Sequence, residues 1–282
     1  MQSSVIYIRP SHGLGSLNLG DLWLYRELIY FLTWRDIKVR YKQTILGAAW
    51  AVLQPVLQMV VFTLLFSRVA HLTSNGLPYP IFNFAALLPW RLFAKTLNDA
   101  GRSLVTNRNM VTKVYFPRLV IPMASVMGGL VDFVIAFFVL VGLMVYYHLK
   151  PDSGYRFIPS WALLSLPIFL LLAMLTAFGV SLWLSALNVL YRDVAYVLPF
   201  LTELWFFVTP VVYSSSEIPE QFRLLYALNP MTGVVEAFRW ALFSNQTAPG
   251  LTVTISAVAA LGVLVTGLFY FRRMERVFAD EI

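Results

Sequence analysis

Six stretches of about twenty mostly apolar residues decide what this chain can fold into: 46–67, 80–99, 119–147, 161–187, 194–213 and 251–271. A helix of that length crosses the hydrocarbon core of a bilayer and satisfies its own backbone hydrogen bonds where water cannot. The sequence therefore predicts an all-α integral membrane protein with six transmembrane helices. Charged residues occupy 12% of the 282 positions. That is half the share of a soluble domain, about 25%, and it excludes the one or two soluble domains that the length would otherwise suit. The second stretch is interrupted by Arg91 and Lys95, and the fifth carries Glu203. The first twenty residues hold no apolar run behind a basic stretch, so no cleavable signal peptide is expected.

Charge sets the orientation. With the N-terminus inside, 14 of the 21 Lys and Arg residues fall in cytoplasmic segments. Four fall outside (Lys150, Arg156, Arg223, Arg239), and three lie in or at the ends of spans (Arg68, Arg91, Lys95). This positive-inside bias puts both termini in the cytoplasm and explains the net charge of +7 without invoking nucleic acid. The apolar part of residues 21–44 runs from 22 to 34, about 20 Å as a helix and too short to cross. RDIKVRYK follows at 35–42. This segment is expected to lie along the cytoplasmic membrane surface. The expected organisation is thus an N-terminal cytoplasmic segment with an interfacial helix (1–44), a transmembrane domain (45–272) and a cytoplasmic tail (273–282).

Proline occurs in five spans, at Pro55, Pro89, Pro122, Pro167, Pro199 and Pro210, and each proline inside a helix removes a hydrogen bond and kinks the axis. Ala173, Ala177, Ser181 and Ser185 line one face of span four at four-residue spacing. Small residues let helix backbones approach closely, either within one subunit or at a dimer seam, with internal packing preferred. Between spans five and six, residues 214–250 suggest two short helices, one from Ile218 capped by Ser216 and one from Met231 to Phe243 opened by Pro230. They are expected to be re-entrant and to cover the outer end of a pathway. A carboxylate near mid-membrane is costly, so Glu203 should face water, substrate or a cation, with Arg91, Lys95 and Arg239 as possible partners.

Absences narrow the chemistry. No cysteine occurs, and His12, His71 and His148 lie far apart, so no metal site is expected. There is no phosphate-cradling G-x-x-x-x-G-K-[ST] run, no H-E-x-x-H and no G-x-S-x-G elbow. The few outer acids, Asp152, Glu217, Glu220 and Glu236, have no spacing that suits paired-carboxylate catalysis. Six spans without an internal repeat are too few for most secondary transporters. The chain is not expected to be an enzyme.

The run YFLTWRDIKVRYKQTILGAAWAVLQPVLQ (30–58) closely resembles the opening of ABC-2 type permeases that export polysaccharides, among them O-antigen, capsule and teichoic-acid exporters. NRNMVTKVYFPRLVIP (107–122), NVLYRDV (188–194) and LNPMTGVVEAFRWALF (228–243) are similar to the same family at the corresponding places. The resemblance spans nearly the whole chain.

It implies a permease homodimer in the inner (plasma) membrane, bound on its cytoplasmic side to two separate ABC ATPase subunits that carry the ATP and Mg. It also implies a lipid-linked glycan as cargo. By position, contact with the ATPase falls on Arg35, Asp36, Lys38, Arg40, Tyr41 and Lys42, and on Asn107, Arg108, Lys113, Phe116, Pro117 and Arg118. The pathway falls on Gln54, Gln58, Glu203, Trp205 and Phe206, and the outer gate on Pro230, Glu236, Arg239 and Trp240. One alternative keeps the fold and changes the cargo to a small hydrophobic drug or lipid. Another, an integral-membrane glycan-processing enzyme, needs large outer loops with clustered Arg, His or acids, which the sequence lacks.

Overall fold

The computed structural model describes residues 19–42, 49–69, 74–243, 248 and 250–281. Residues 1–18, the expected start of span one at 46–48, and His12 and His71 lie outside the described residues. Two helices come first, α1 (Leu19–Leu24) and α2 (Arg26–Lys42). α3 (Ala49–Phe62) continues through a looser π turn, Thr63–Val69. α4 (Tyr79–Thr106), α5 (Arg108–Lys113) and α6 (Val120–Leu149) follow, and then α7 (Leu166–Leu190), entered through the 3-10 turn Trp161–Ser165. α8 (Val194–Val208), α9 (Glu220–Ala227), α10 (Pro230–Leu242), α11 (Gly250–Met274) and α12 (Phe278–Glu281) complete the chain.

Among the described residues, four helices are long and apolar enough to cross a membrane: Ala49–Ser67, Val120–Leu149, Trp161–Leu190 and Gly250–Met274. The other two expected spans depart from the sequence reading in instructive ways. α4 runs on to Thr106, well past the expected end at 99, and its charges keep it off that set. α8 stops at Val208 instead of 213 and has 15 residues, about 22 Å. Thr209 leaves the helix because it precedes Pro210, and a residue before proline is driven out of the α region.

Three of the six span prolines lie inside helices: Pro55, Pro89 and Pro199. Pro122 and Pro167 sit in the first turns of α6 and α7, where a missing N–H costs nothing. They break no ladder.

α4 is the centre of the molecule. From Ile81 to Trp90 every residue is buried, and α6, α7, α10 and α8 pack around it. The face of α7 made by Ala173, Ala177, Ser181 and Ser185 is fully buried inside this one chain, and the Ser181 hydroxyl reaches the Thr96 carbonyl of α4. Internal packing accounts for that stripe. On its other side α7 meets α11 backbone to backbone, since a Cβ on Gly179 would stand 2.7 Å from Leu264 Cα, and one on Gly267 would stand 2.5 Å from the Gly179 carbonyl. A second core of Leu32, Leu104, Val111, Phe116, Leu119, Phe271 and Phe278 ties α2, α5 and α12 to the same end of the bundle.

Candidate functional site

A cavity of about 940 Å³ opens between α3, α4, α6 and α8. Its wall combines Trp50, Phe62, Trp90, Phe206 and Phe207 with polar groups from all four helices. Arg91 of α4 stretches across to α3, donating to Gln58 at 3.0 Å and to Gln54 at 2.9 Å. These two glutamines stand one turn apart on α3, so a single guanidinium spans both amide oxygens.

Charges gather at one end of this cavity. Arg40, from α2, donates to Asp132 of α6 at 2.8 Å and to Asp99 of α4 at 3.1 Å. Lys95 pairs with the same two carboxylates at 3.4 and 3.2 Å. Tyr41 donates its phenol to the other oxygen of Asp132. Two cations and two carboxylates on three helices thus neutralise one another, the arrangement in which charges in a low-dielectric site are tolerated. Lys95 and Asp99 are one turn apart on α4, a pairing visible in the sequence. The contribution of Arg40 and Asp132 was not legible there.

The expected pathway residues separate into two groups. Gln54, Gln58, Glu203 and Phe206 line the cavity. Trp205 does not. It lies behind the wall, its ring packed edge-on against Phe93 at 5.0 Å and its indole N–H donating to Asn229 at 2.9 Å. Glu203 is exposed to the cavity, while Arg91, Lys95 and Arg239, the cations considered for it, are each engaged elsewhere.

Arg35, Asp36 and Lys38 lie along α2, whose Leu32 is buried and whose Thr33 hydroxyl reaches the Ala124 carbonyl of α6. Arg35 bonds Asp36 at 2.8 Å and Asn107 at 2.9 Å, so α2 is linked directly to the α4–α5 junction. Lys38 rests over the Trp34 ring. Lys42, Arg108 and Lys113 are exposed, whereas Phe116 is buried in the second core. Beside it Pro117 is half-buried, and Arg118 is bound to the last turns of the chain, its backbone N–H donating to Glu275 at 3.1 Å and its guanidinium to the Glu275 carbonyl. Arg40 and Tyr41 point into the helix bundle. Val114 and Tyr115, which composition did not single out, project at the tip of this loop at 56% and 75% exposure.

The two helices expected between spans five and six are present as α9 and α10. Asn229 caps α10 by accepting from Met231 N–H, with Pro230 at the first helical position. Ser216 starts no helix. Ser214 instead caps the 3-10 turn Ser215–Glu217, and α9 begins at Glu220. α10 is buried on nearly every side against α4, α7 and α11. Glu236 and Trp240 are its half-buried members, Trp240 standing 6.3 Å from Phe169. Arg239 is 4% exposed and donates to the carbonyls of Phe82, Pro210, Val211 and Tyr213. Its guanidinium also lies 3.7 Å over the Phe82 ring. Three of these carbonyls, those of Pro210, Val211 and Tyr213, follow the break in α8 at Thr209, and the fourth belongs to α4.

Comparison with known proteins gives a consistent result. The family model for the ABC-2 type transporter matches residues 27–243. An O-antigen export system permease protein RfbA of Myxococcus xanthus is 32% identical, the alignment covering 93% of this chain and 98% of that protein. A Klebsiella pneumoniae protein of the same name is 30% identical over 93% and 96%. A polysialic acid transport protein KpsM of Escherichia coli is 23% identical over 86% and 91%.

Proposed function

Because this chain belongs to the ABC-2 type transporter family, we propose that it is the membrane-spanning subunit of an ATP-driven exporter of a lipid-linked polysaccharide such as O-antigen. It is a multi-pass membrane protein and a transport component. The carrying observation is the cavity between α3, α4, α6 and α8, whose aromatic faces and side-chain amides occur together. Aromatic rings offer apolar contact to the C–H face of a pyranose, and Gln54, Gln58, Asn98 and Glu203 offer hydrogen bonds to its hydroxyls. A small hydrophobic drug calls for a tight apolar pocket, and this wall does not supply one.

In this reading α4 and α8 complete a six-span bundle with both termini in the cytoplasm, in the inner membrane. Two copies of the chain meet along α3 and α8, whose outward faces carry Leu53, Leu57, Val61, Tyr196, Phe200 and Leu204 uncovered. Two ABC ATPase subunits bind the exposed residues of α2 and the α5 loop. ATP-driven closure of those subunits pushes on α2 and α5, and the second core transmits the push to α6, α7 and α11. The cavity then opens toward the outer side beside α9 and α10.

The test is reconstitution of the chain with its ATPase in proteoliposomes, with a fluorescent lipid-linked glycan supplied. ATP-dependent delivery of the glycan across the bilayer is the expected result. A stable complex that turns over ATP and moves an apolar dye but no glycan would overturn the cargo assignment.

A further inference from the structure

A second cavity, of about 540 Å³, lies between the end of α6 and the start of the Trp161–Leu190 span. Positive-inside statistics leave few cations on the outer side, yet Lys150 and Arg156 both line this one cavity, with His148 beside them. Tyr155 also lines it, 6% exposed, and its hydroxyl is buried with no hydrogen-bond partner. The Tyr155 ring is fixed edge-on against Phe243. Burial pushes its pKa up to about 12, so the hydroxyl remains a donor. His148 Nδ1 already accepts the Phe157 N–H, which leaves Nε2. The site therefore presents donors and positive charge to whatever enters, and an oxygen-rich anion is the complement.

Position selects which anion. The lining residues connect the ends of two apolar spans, so the cavity stands at the height of lipid headgroups. Tyr146, Leu149, Ile158, Trp161 and Leu164 are exposed around it, Trp161 at 89%. Aromatic and apolar side chains in that ring meet the upper acyl region. We propose that this cavity holds the phosphate of an anionic glycerophospholipid of the outer leaflet, bound by Lys150, Arg156 and Tyr155. This assignment rests on the orientation given under the proposed function.

Native mass spectrometry of the delipidated transporter complex tests it, with dioleoyl-phosphatidylglycerol, dioleoyl-phosphatidylcholine and glycerol 3-phosphate as probes. Phosphatidylglycerol is expected to be retained preferentially. The Lys150→Gln, Arg156→Gln double variant should lose about tenfold in affinity. Tyr155→Phe, which keeps the ring on Phe243, should lose a smaller factor and covers the case in which the double variant does not fold. Equal retention by wild type and by a folded variant overturns the proposal. So does binding of glycerol 3-phosphate as tight as that of the lipid, or indifference to headgroup charge. The readout is binding and not export, so failure here leaves the transport reading intact.

Discussion

Arg35 and Asn107 stand 72 positions apart in the sequence, and the Arg35 guanidinium donates to the Asn107 side-chain oxygen at 2.9 Å. The contact joins the helix that precedes the bundle to the loop that leaves α4. If it transmits force from an ATPase, Arg35→Ala and Asn107→Ala should each weaken permease-dependent ATP turnover, and together should do no more than either alone. The coupling energy expected of such a half-exposed pair is about 0.5–1 kcal/mol. Additive losses in the double-mutant cycle would show that the two residues act separately.

Lys113 ends α5 and Arg118 lies in the loop that follows it, and the two should respond differently to charge reversal. Lys113 is exposed, so Lys113→Glu should leave the melting temperature unchanged while reducing export and ATPase stimulation several-fold. Arg118 is held by Glu275, and Arg118→Glu would set two carboxylates against each other. A melting temperature lowered in the second variant and not in the first is the expected pattern.

Asp132 accepts from Arg40 and Tyr41 and also pairs with Lys95. Asp132→Asn leaves those cations short of a counter-charge and should cost about 1–3 kcal/mol. Arg40→Ala should cost less, because Lys95 still pairs with both carboxylates. Thermal unfolding in detergent gives the ranking, and the reverse order would show that Arg40 is the keystone of the cluster.

Gly179 and Gly262 both lie inside helices, and only the first has neighbours where a Cβ would go. Gly179→Ala drives a methyl into the α11 backbone and should destabilise by about 1–3 kcal/mol. Gly262→Ala meets open space and should stay within about 1 kcal/mol of wild type.

Glu203 faces the main cavity without an ion pair to Arg91, Lys95 or Arg239. Glu203→Gln should therefore melt within about 0.5 kcal/mol of wild type and change the rate of glycan export. A large loss of stability with normal export would assign it a structural role.

The parts of the fold written continuously were legible in the sequence. α6, α7 and α11 are unbroken apolar runs, each part of a helix long and apolar enough to cross a membrane. α4 was harder, since Arg91, Lys95 and Asp99 lower its hydropathy, and Arg40 and Asp132, which complete the Lys95–Asp99 pair, sit on other helices. Arg40 and Asp132 are 92 positions apart, a distance that no local pattern bridges. The proline signal misled for a related reason. Composition counts prolines, whereas their effect depends on whether they fall in a first turn, as Pro167 does, or mid-helix, as Pro89 does. Arg239 was expected among the outer cations, but its contacts with the Pro210, Val211 and Tyr213 carbonyls exist only once α8 has broken and α10 has docked.

The burial of α4 bears on how the protein is made. On insertion scales each charged residue at a helix centre costs about 2.5–3.5 kcal/mol, and α4 brings Arg91, Lys95 and Asp99. Offered to lipid alone, such a segment partitions poorly from the translocon. Gln54 and Gln58 are already synthesised when it emerges, but Asp132 arrives only with α6, and the small face of α7 later still. In the proposed six-span bundle, translation therefore delivers the most hydrophilic span before α6 and α7, which shelter it, and the centre of the molecule settles in the membrane only after its periphery.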